Sequence, residues 1–169
     1  MEPSGQTVLL GRPTQIEPPM KLSEGDVLQL AGEAHARGER LQLRARDLTG
    51  LGLFRADLHA VDFCGSDMTE INLSHADLRA ADLAHATLTQ AAFFRANLAG
   101  ASLRHADLTF ADLFQTNLTD ADLTGAHLDH ANLEGADLDG VTLTGATYTD
   151  DTRWPLDFDP KATGARHKI

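Results

Sequence analysis

From Leu43 to Tyr148 the chain sets a large apolar residue at every fifth position, through Leu48, Leu53, Leu58, Phe63 and Met68 and on to Leu138 and Leu143. Two positions before each stands a small or apolar residue, most often Ala, as at Ala76, Ala81, Ala86 and Ala91. Asp or Asn dominates the position between them. An α-helix cannot use this pattern, because five residues advance it by about 500° and the large residues would drift around the whole cylinder. A flat strand fails as well, since an odd period sends successive large residues to opposite faces. The chain must turn a corner every five residues. The large residue then points inward and Ala fits the tight space beside it. The Asx side chain is placed to bond the turn backbone.

This tandem A-(D/N)-L-x-x pattern, unbroken over residues 41–150, resembles the pentapeptide-repeat family. The resemblance implies an all-β fold, a right-handed quadrilateral parallel β-solenoid. With four repeats per coil it would have about five coils, and residues twenty apart would stack about 4.8 Å from one another. Each buried Leu would then contribute about 1.5–3 kcal/mol, with backbone bonds between coils satisfying the ladder.

A solenoid exposes its core at both ends unless something covers it. Before the repeats, KLSEGDVLQLAGEAHARGERL predicts a capping helix with Ser23 as N-cap, Gly38 as stop, and Val27, Leu28, Leu30, Ala31 and Ala34 as its apolar face. After them, DDTRWPLDFDPKATGA offers Trp154, Pro155, Leu156 and Phe158 as a lid. This tail resembles the family's W-P-x-x-F-D-P-x-A-x-G-A ending. The expected organisation is an N-terminal segment and helix over 1–40, the solenoid over 41–150, and a C-terminal cap and tail over 151–169. Pro155, Pro160 and Gly164 interrupt that tail, which argues against the long C-terminal dimerising helix that the resemblance attaches to the quinolone-resistance members.

Charge narrows the partners. The net charge is −11, with Lys only at Lys21, Lys161 and Lys168. Nucleic-acid binding rests on cations that neutralise phosphates, so neither DNA nor RNA is an expected ligand. Anionic membranes are disfavoured for the same reason. An acidic body suits basic proteins, or the groove of a protein that normally holds nucleic acid. Cys64 is the sole cysteine, which excludes an intrachain disulfide and a Cys-rich zinc site. The opening MEPSGQTVLLGRPTQ lacks the charged and apolar regions of a secretory signal, and no run reaches membrane-spanning length. A cytoplasmic protein is expected.

Sorting positions by the twenty-residue repeat separates the sides. One carries Asp47, Asp67 and Asp107; another carries Asp57, Asp77, Asp137 and Asp139. Asn72, Asn97, Asn117 and Asn132 hold equivalent positions, so the corner requires Asx but not its charge. The excess Asp is either an acidic ridge that imitates a phosphate track or a source of solubility. The first acidic side also stacks Thr49, Thr69, Thr89, Thr109 and Thr149. Such a ladder resembles the ice-binding face of insect antifreeze proteins, but Asp129 and the flanking carboxylates interrupt it, and Thr is simply a good β residue. A third side sets Phe54, Phe94 and Phe114 in one outward column and Arg55, His75 and Arg95 in the next, with Phe110 at the adjoining corner. Aromatics with Arg outside a core suit a binding site, where a partner or a second copy of the chain would cover them. They equally suit cross-coil packing.

No nucleophile elbow, P-loop, zincin or dinucleotide motif occurs, and Cys64 has no local base. His85 and His105 should stack one coil apart, but no third ligand column accompanies them, so neither a metal site nor a cofactor is expected. Convex sides also lack the concavity that catalysis uses. The expectation is a non-enzymatic binding protein. The resemblance implies an acidic, DNA-like solenoid that engages DNA gyrase or topoisomerase IV, in protection from or modulation of a topoisomerase poison. The alternative is an adaptor that binds a protein through its Phe/Arg side and has no connection with DNA, or that pairs with itself there.

Overall fold

The computed structural model describes residues 21–168; the expectations for residues 1–20 lie outside these. Parallel bridges join each polar corner residue to the one twenty positions on, as in Gln42↔Asp62, Asp47↔Asp67, Gly52↔Asn72 and Asp57↔Asp77, and continue in register to His127↔Thr147. With a turn every five residues, a twenty-residue coil has four sides. The Leu48 N–H donates to the Asp67 carbonyl at 2.8 Å, and the Asp67 N–H donates back to the Arg46 carbonyl at 2.9 Å. Each side is so short that pairing consists of single bridges, not long strands. The backbone is nevertheless satisfied from coil to coil.

The corners follow from the same five positions. The Leu51 N–H donates across a turn to the Leu48 carbonyl at 3.3 Å. The residue before the next repeat is left-handed, with φ of 58° at Arg55, 58° at His85 and 61° at Phe110. A non-glycine residue pays for that conformation. The cost is offset because the same residue bonds the following coil, as where the Arg55 N–H donates to the Ser74 carbonyl at 3.0 Å. Asx side chains brace the bend: Asp67 Oδ1 accepts the Thr69 N–H at 3.1 Å, and Asn97 Oδ1 accepts the Ala99 N–H at 3.1 Å. Asp and Asn perform one structural task.

The inward column, from Leu48 and Leu53 through Phe93 and Leu98 to Leu133, is wholly buried, and the Ala column beside it is buried too. Where Ser66 and Thr116 replace Ala, their hydroxyls donate to the Leu43 and Phe93 carbonyls at 2.6 and 2.7 Å. These two hydroxyls inside the wall are therefore paired.

Helix α1, Glu24–Ala36, starts in a capping box in which Ser23 and Asp26 satisfy one another's backbone N–H. It ends where Gly38, at φ 66°, lets the Gly38 and Glu39 N–H groups reach the His35 and Ala34 carbonyls at 3.0 and 2.9 Å. Its buried residues are Val27, Ala31 and Ala34, and the first two join the solenoid core. Leu28 and Leu30, expected on this face, are exposed. The spacing of positions 27, 31 and 34 defines the buried stripe, and its neighbours rotate away from it.

Past Tyr148 the register lengthens by one residue, with Asn132 bridging Arg153. Strand β1, Thr147–Tyr148, then pairs in parallel with β2, Arg166–His167, after a 3-10 turn over Pro160–Thr163. Trp154 and Phe158 pack against the core with their rings stacked 5.3 Å apart. Leu156, expected in the lid, is instead 92% exposed, because the chain turns outward after Pro155. Among the described residues no helix is long and apolar enough to cross a membrane.

Candidate protein-binding faces

Chain order around one coil fixes which sides are neighbours. The side of Leu53 lies between those of Leu48 and Leu58, so the aromatic column is bordered by an acidic column along each edge. This adjacency follows from the four-sided coil alone.

The aromatic side forms a continuous ladder. Phe54 meets the edge of His75 at 5.4 Å between centroids, His75 meets Phe94 at 5.3 Å, and Phe94 stacks on Phe114 at 6.0 Å with planes 5° apart. The guanidinium carbons of Arg55 and Arg95 each lie 5.1 Å from the ring centroid of the preceding Phe. Arg95 Nε also donates to Gln115 Oε1 at 2.7 Å. Phe54 is 51% exposed and Phe110 is 53% exposed. Phe110 stacks on His130 at 4.5 Å, at the corner next to the ladder. His75 is the member that composition alone hides: its ring joins Phe54 to Phe94 across the intervening coil.

The acidic sides are less uniform than their sequence columns. Asp47 and Asp67 face one another across a bridge, as do Asp57 and Asp77, but Asn97 and Asn117 separate Asp77 from Asp137. Hydroxyls engage one column: Thr49, Thr69 and Thr109 bond Asp47, Asp67 and Asp107 respectively. Those from Thr49 hold the Asp47 carboxyl below its ordinary value. At Asp107 partial burial pushes upward, but the Thr109 side chain and backbone outweigh it and hold the carboxyl low. On the other column Arg79 clamps Asp77 and holds it low, while Asp137 Oδ1 accepts the Asp139 N–H at 3.1 Å.

His85 and His105 stack 5.2 Å apart with planes 15° from parallel. A different group gathers where α1 meets the first coil. His35, Asp57 and His59 bring one nitrogen or oxygen each within 4.8 Å of one another. No sequence period announces it, because His35 belongs to the helix and its reach depends on how α1 docks. A shallow cavity of about 280 Å³ lies between Asp137, Asp139, Leu156 and Phe158 near the C-terminal end.

This architecture defines a four-sided repeat solenoid. The pentapeptide-repeat model matches in eight copies over residues 56–93, 91–127 and 116–147, and the chain belongs to the pentapeptide-repeat family, whose members form right-handed β-solenoids and are in general non-catalytic. Among solved structures it is similar to the pentapeptide repeat protein Rfr23 from the cyanobacterium Cyanothece 51142. The two are 23% identical over 76% of this chain and 99% of that one, with a TM-score of 0.68. It is 36% identical to alr5209 from Nostoc PCC 7120, covering 82% of this chain and 93% of that one at a TM-score of 0.45. QnrB1, a plasmid-mediated fluoroquinolone resistance protein, is 18% identical over 75% of this chain and 84% of that one, at a TM-score of 0.39. No curated protein matches.

Proposed function

We propose that the protein is a non-catalytic binding solenoid whose acidic sides engage a basic, DNA-handling protein in the cytoplasm, specifically the type II topoisomerases DNA gyrase or topoisomerase IV. In this reading the solenoid of about five coils, at about 4.8 Å each, is the displayed surface. The segments 1–40 and 151–169 act as its ends. The observation that carries the reading is the chain's net charge of −11 together with the Asp columns stacked in register from coil to coil, Asp47 on Asp67 and Asp57 on Asp77, with the family's DNA-like members as the model for their use. Long-range attraction of this kind favours a cationic groove. Gyrase supercoiling measured with and without a quinolone tests it. The protein should inhibit supercoiling or relieve the drug's effect, and added salt should weaken either result. No effect on gyrase or on topoisomerase IV at micromolar protein would overturn the reading.

The exposure of Phe54 and Phe110 favours a second reading, an adaptor that binds an unrelated protein, or its own second copy, through the Phe/Arg side. Such a surface has an apolar centre with charged edges, as protein interfaces commonly do. Pull-down from the native host separates the two readings by whether topoisomerase is retained.

A further inference from the structure

His35 near the end of α1, and Asp57 and His59 on the first coil, form a cluster with an unusual proton balance. His35 Nε2 lies 3.0 Å from the His59 carbonyl oxygen. A carbonyl only accepts, so Nε2 must carry the hydrogen. In a neutral imidazole the other nitrogen, Nδ1, then presents a lone pair. That Nδ1 faces Asp57 Oδ2 at 3.6 Å, so in the neutral ring two electron-rich atoms confront one another, a contact that either a proton on Nδ1 or a bound cation relieves. Asp57 Oδ1 meanwhile accepts the His59 Nδ1–H at 2.6 Å, a hydrogen that a metal ion at Nδ1 would displace. The two imidazoles stack at 3.9 Å with planes 20° apart, which brings both Nδ1 atoms to the same carboxylate.

We propose that His35 Nδ1, His59 Nδ1 and the Asp57 carboxylate bind one divalent transition-metal ion of the zinc class, which fastens α1 to the solenoid. Two imidazole nitrogens and one carboxylate are a donor set that suits Zn²⁺, with water completing the coordination. In a tetrahedral site the two nitrogens would stand about 3.3 Å apart at ordinary zinc–nitrogen lengths. The ligand atoms already lie within 4.8 Å of one another; the stacked rings aim their lone pairs nearly parallel, so the partly exposed His59 ring would turn out of the stack for both nitrogens to meet one ion. The hydrogen bond from His35 Nε2 to the backbone is the outer support that metal-binding imidazoles generally have, and it fixes the tautomer that frees Nδ1. A cavity of about 230 Å³ bounded by His35, Gly38, Glu39, Arg40 and His59 gives access from solvent. Arg40, the cation in that wall, reaches toward Asp82 at 3.8 Å. The bound ion would join residues of α1 to residues of the first coil, and so stabilise that end of the rod in proportion to its affinity.

The test is titration of the full chain, free of any histidine tag, with Co²⁺ followed by visible absorption, then competition by Zn²⁺ and thermal melting with and without Zn²⁺. One Co²⁺ should bind per chain and be displaced by Zn²⁺, and Zn²⁺ should raise the melting temperature. H35Q and H59Q should each weaken binding by about tenfold or more and abolish the thermal gain, while H85Q with H105Q leaves both unchanged. His59 is partly exposed, so H59Q keeps the test decisive even if H35Q loosens the helix. Undiminished Co²⁺ binding in the H35Q/H59Q double variant, or no saturable binding by the full chain, would overturn the proposal. Neither result bears on whether the acidic sides engage a topoisomerase.

Discussion

Arg79 grips Asp77 from two residues away along the same side of the solenoid: its Nε lies 2.9 and 3.1 Å from the two carboxylate oxygens and its Nη2 lies 2.6 Å from Oδ2. The pair lowers the charge that this side displays, and with Asp57 engaged by His35 and His59 it leaves Asp137 and Asp139 as the carboxylates that a partner would meet there. It also makes the fold acid-sensitive.

The hydrogen bonds from Arg79 hold the Asp77 carboxyl below its ordinary value against a smaller upward push from burial, and those from Thr49 do the same for Asp47. A carboxyl whose folded pKa is depressed stabilises the fold fully above its unfolded value, near 3.9. It loses that contribution as pH falls through the folded value. Melting temperature should therefore drop more steeply below about pH 4 in wild type than in D77N. The gap between the two should close as acid protonates Asp77. A constant gap down to pH 2 would show that the clamp contributes nothing to folding.

Leu98 is fully buried in the axis, whereas Asp137 braces a corner through one bond to the Asp139 N–H. L98D should abolish cooperative melting, because an unpaired charge in the axis costs several kcal/mol or more. D137N should melt within about 0.5 kcal/mol of wild type, since Asn97 already performs the same task at an equivalent corner. Circular-dichroism melts of the two variants check the assignment of inward and outward positions.

The five-residue period made the coil, its inward Leu column and its bracing Asx residues legible, because each is a local demand repeated in every turn. The start and stop of α1 were legible for the same reason, since Ser23 and Gly38 act on backbone beside them. What depends on docking was not. Leu28 and Leu30 match Val27 in chemistry, and only the angle of the helix on the rod exposes them. Leu156 beside Trp154 looks like part of a lid, yet the turn at Pro155 points it away. The chain's return as β2 beside β1 pairs Thr147 with Arg166 at a distance in sequence that the repeat does not encode. His35, Asp57 and His59 belong with these: a helix and a coil supply one group, and no spacing rule relates them.

If the acidic sides meet a topoisomerase, removing charge without disturbing corners should weaken the effect. D137N and D139N combined keep an Asx or a solvent-facing amide at each position and leave the Arg79 clamp and the His35, Asp57 and His59 cluster intact. The double variant should fold as wild type and show several-fold lower potency in the supercoiling assay at low salt, with the difference shrinking as salt screens both proteins. Unchanged potency in a folded variant would assign the charge on this side to solubility.

Phe94 and Phe114 supply the sharpest test of the aromatic side. Their rings stack at a 6.0 Å centroid separation, wider than the spacing of about 4.8 Å between coils, as offset rings on adjacent coils do. An aromatic pair of this kind contributes about 0.5–1.5 kcal/mol beyond its buried area, and Arg95 over Phe94 adds a further contact. F94S with F114S should therefore cost modest stability and leave the solenoid folded, because neither ring enters the Leu axis. If the side is a binding surface, the double variant should lose self-association in sedimentation, or lose the partner retained by wild type. F54S should act in the same direction, since Phe54 is half-exposed and joined to the same ladder through His75. A stability loss of more than about 3 kcal/mol with association unchanged would instead make the ladder a packing device that clamps successive coils together.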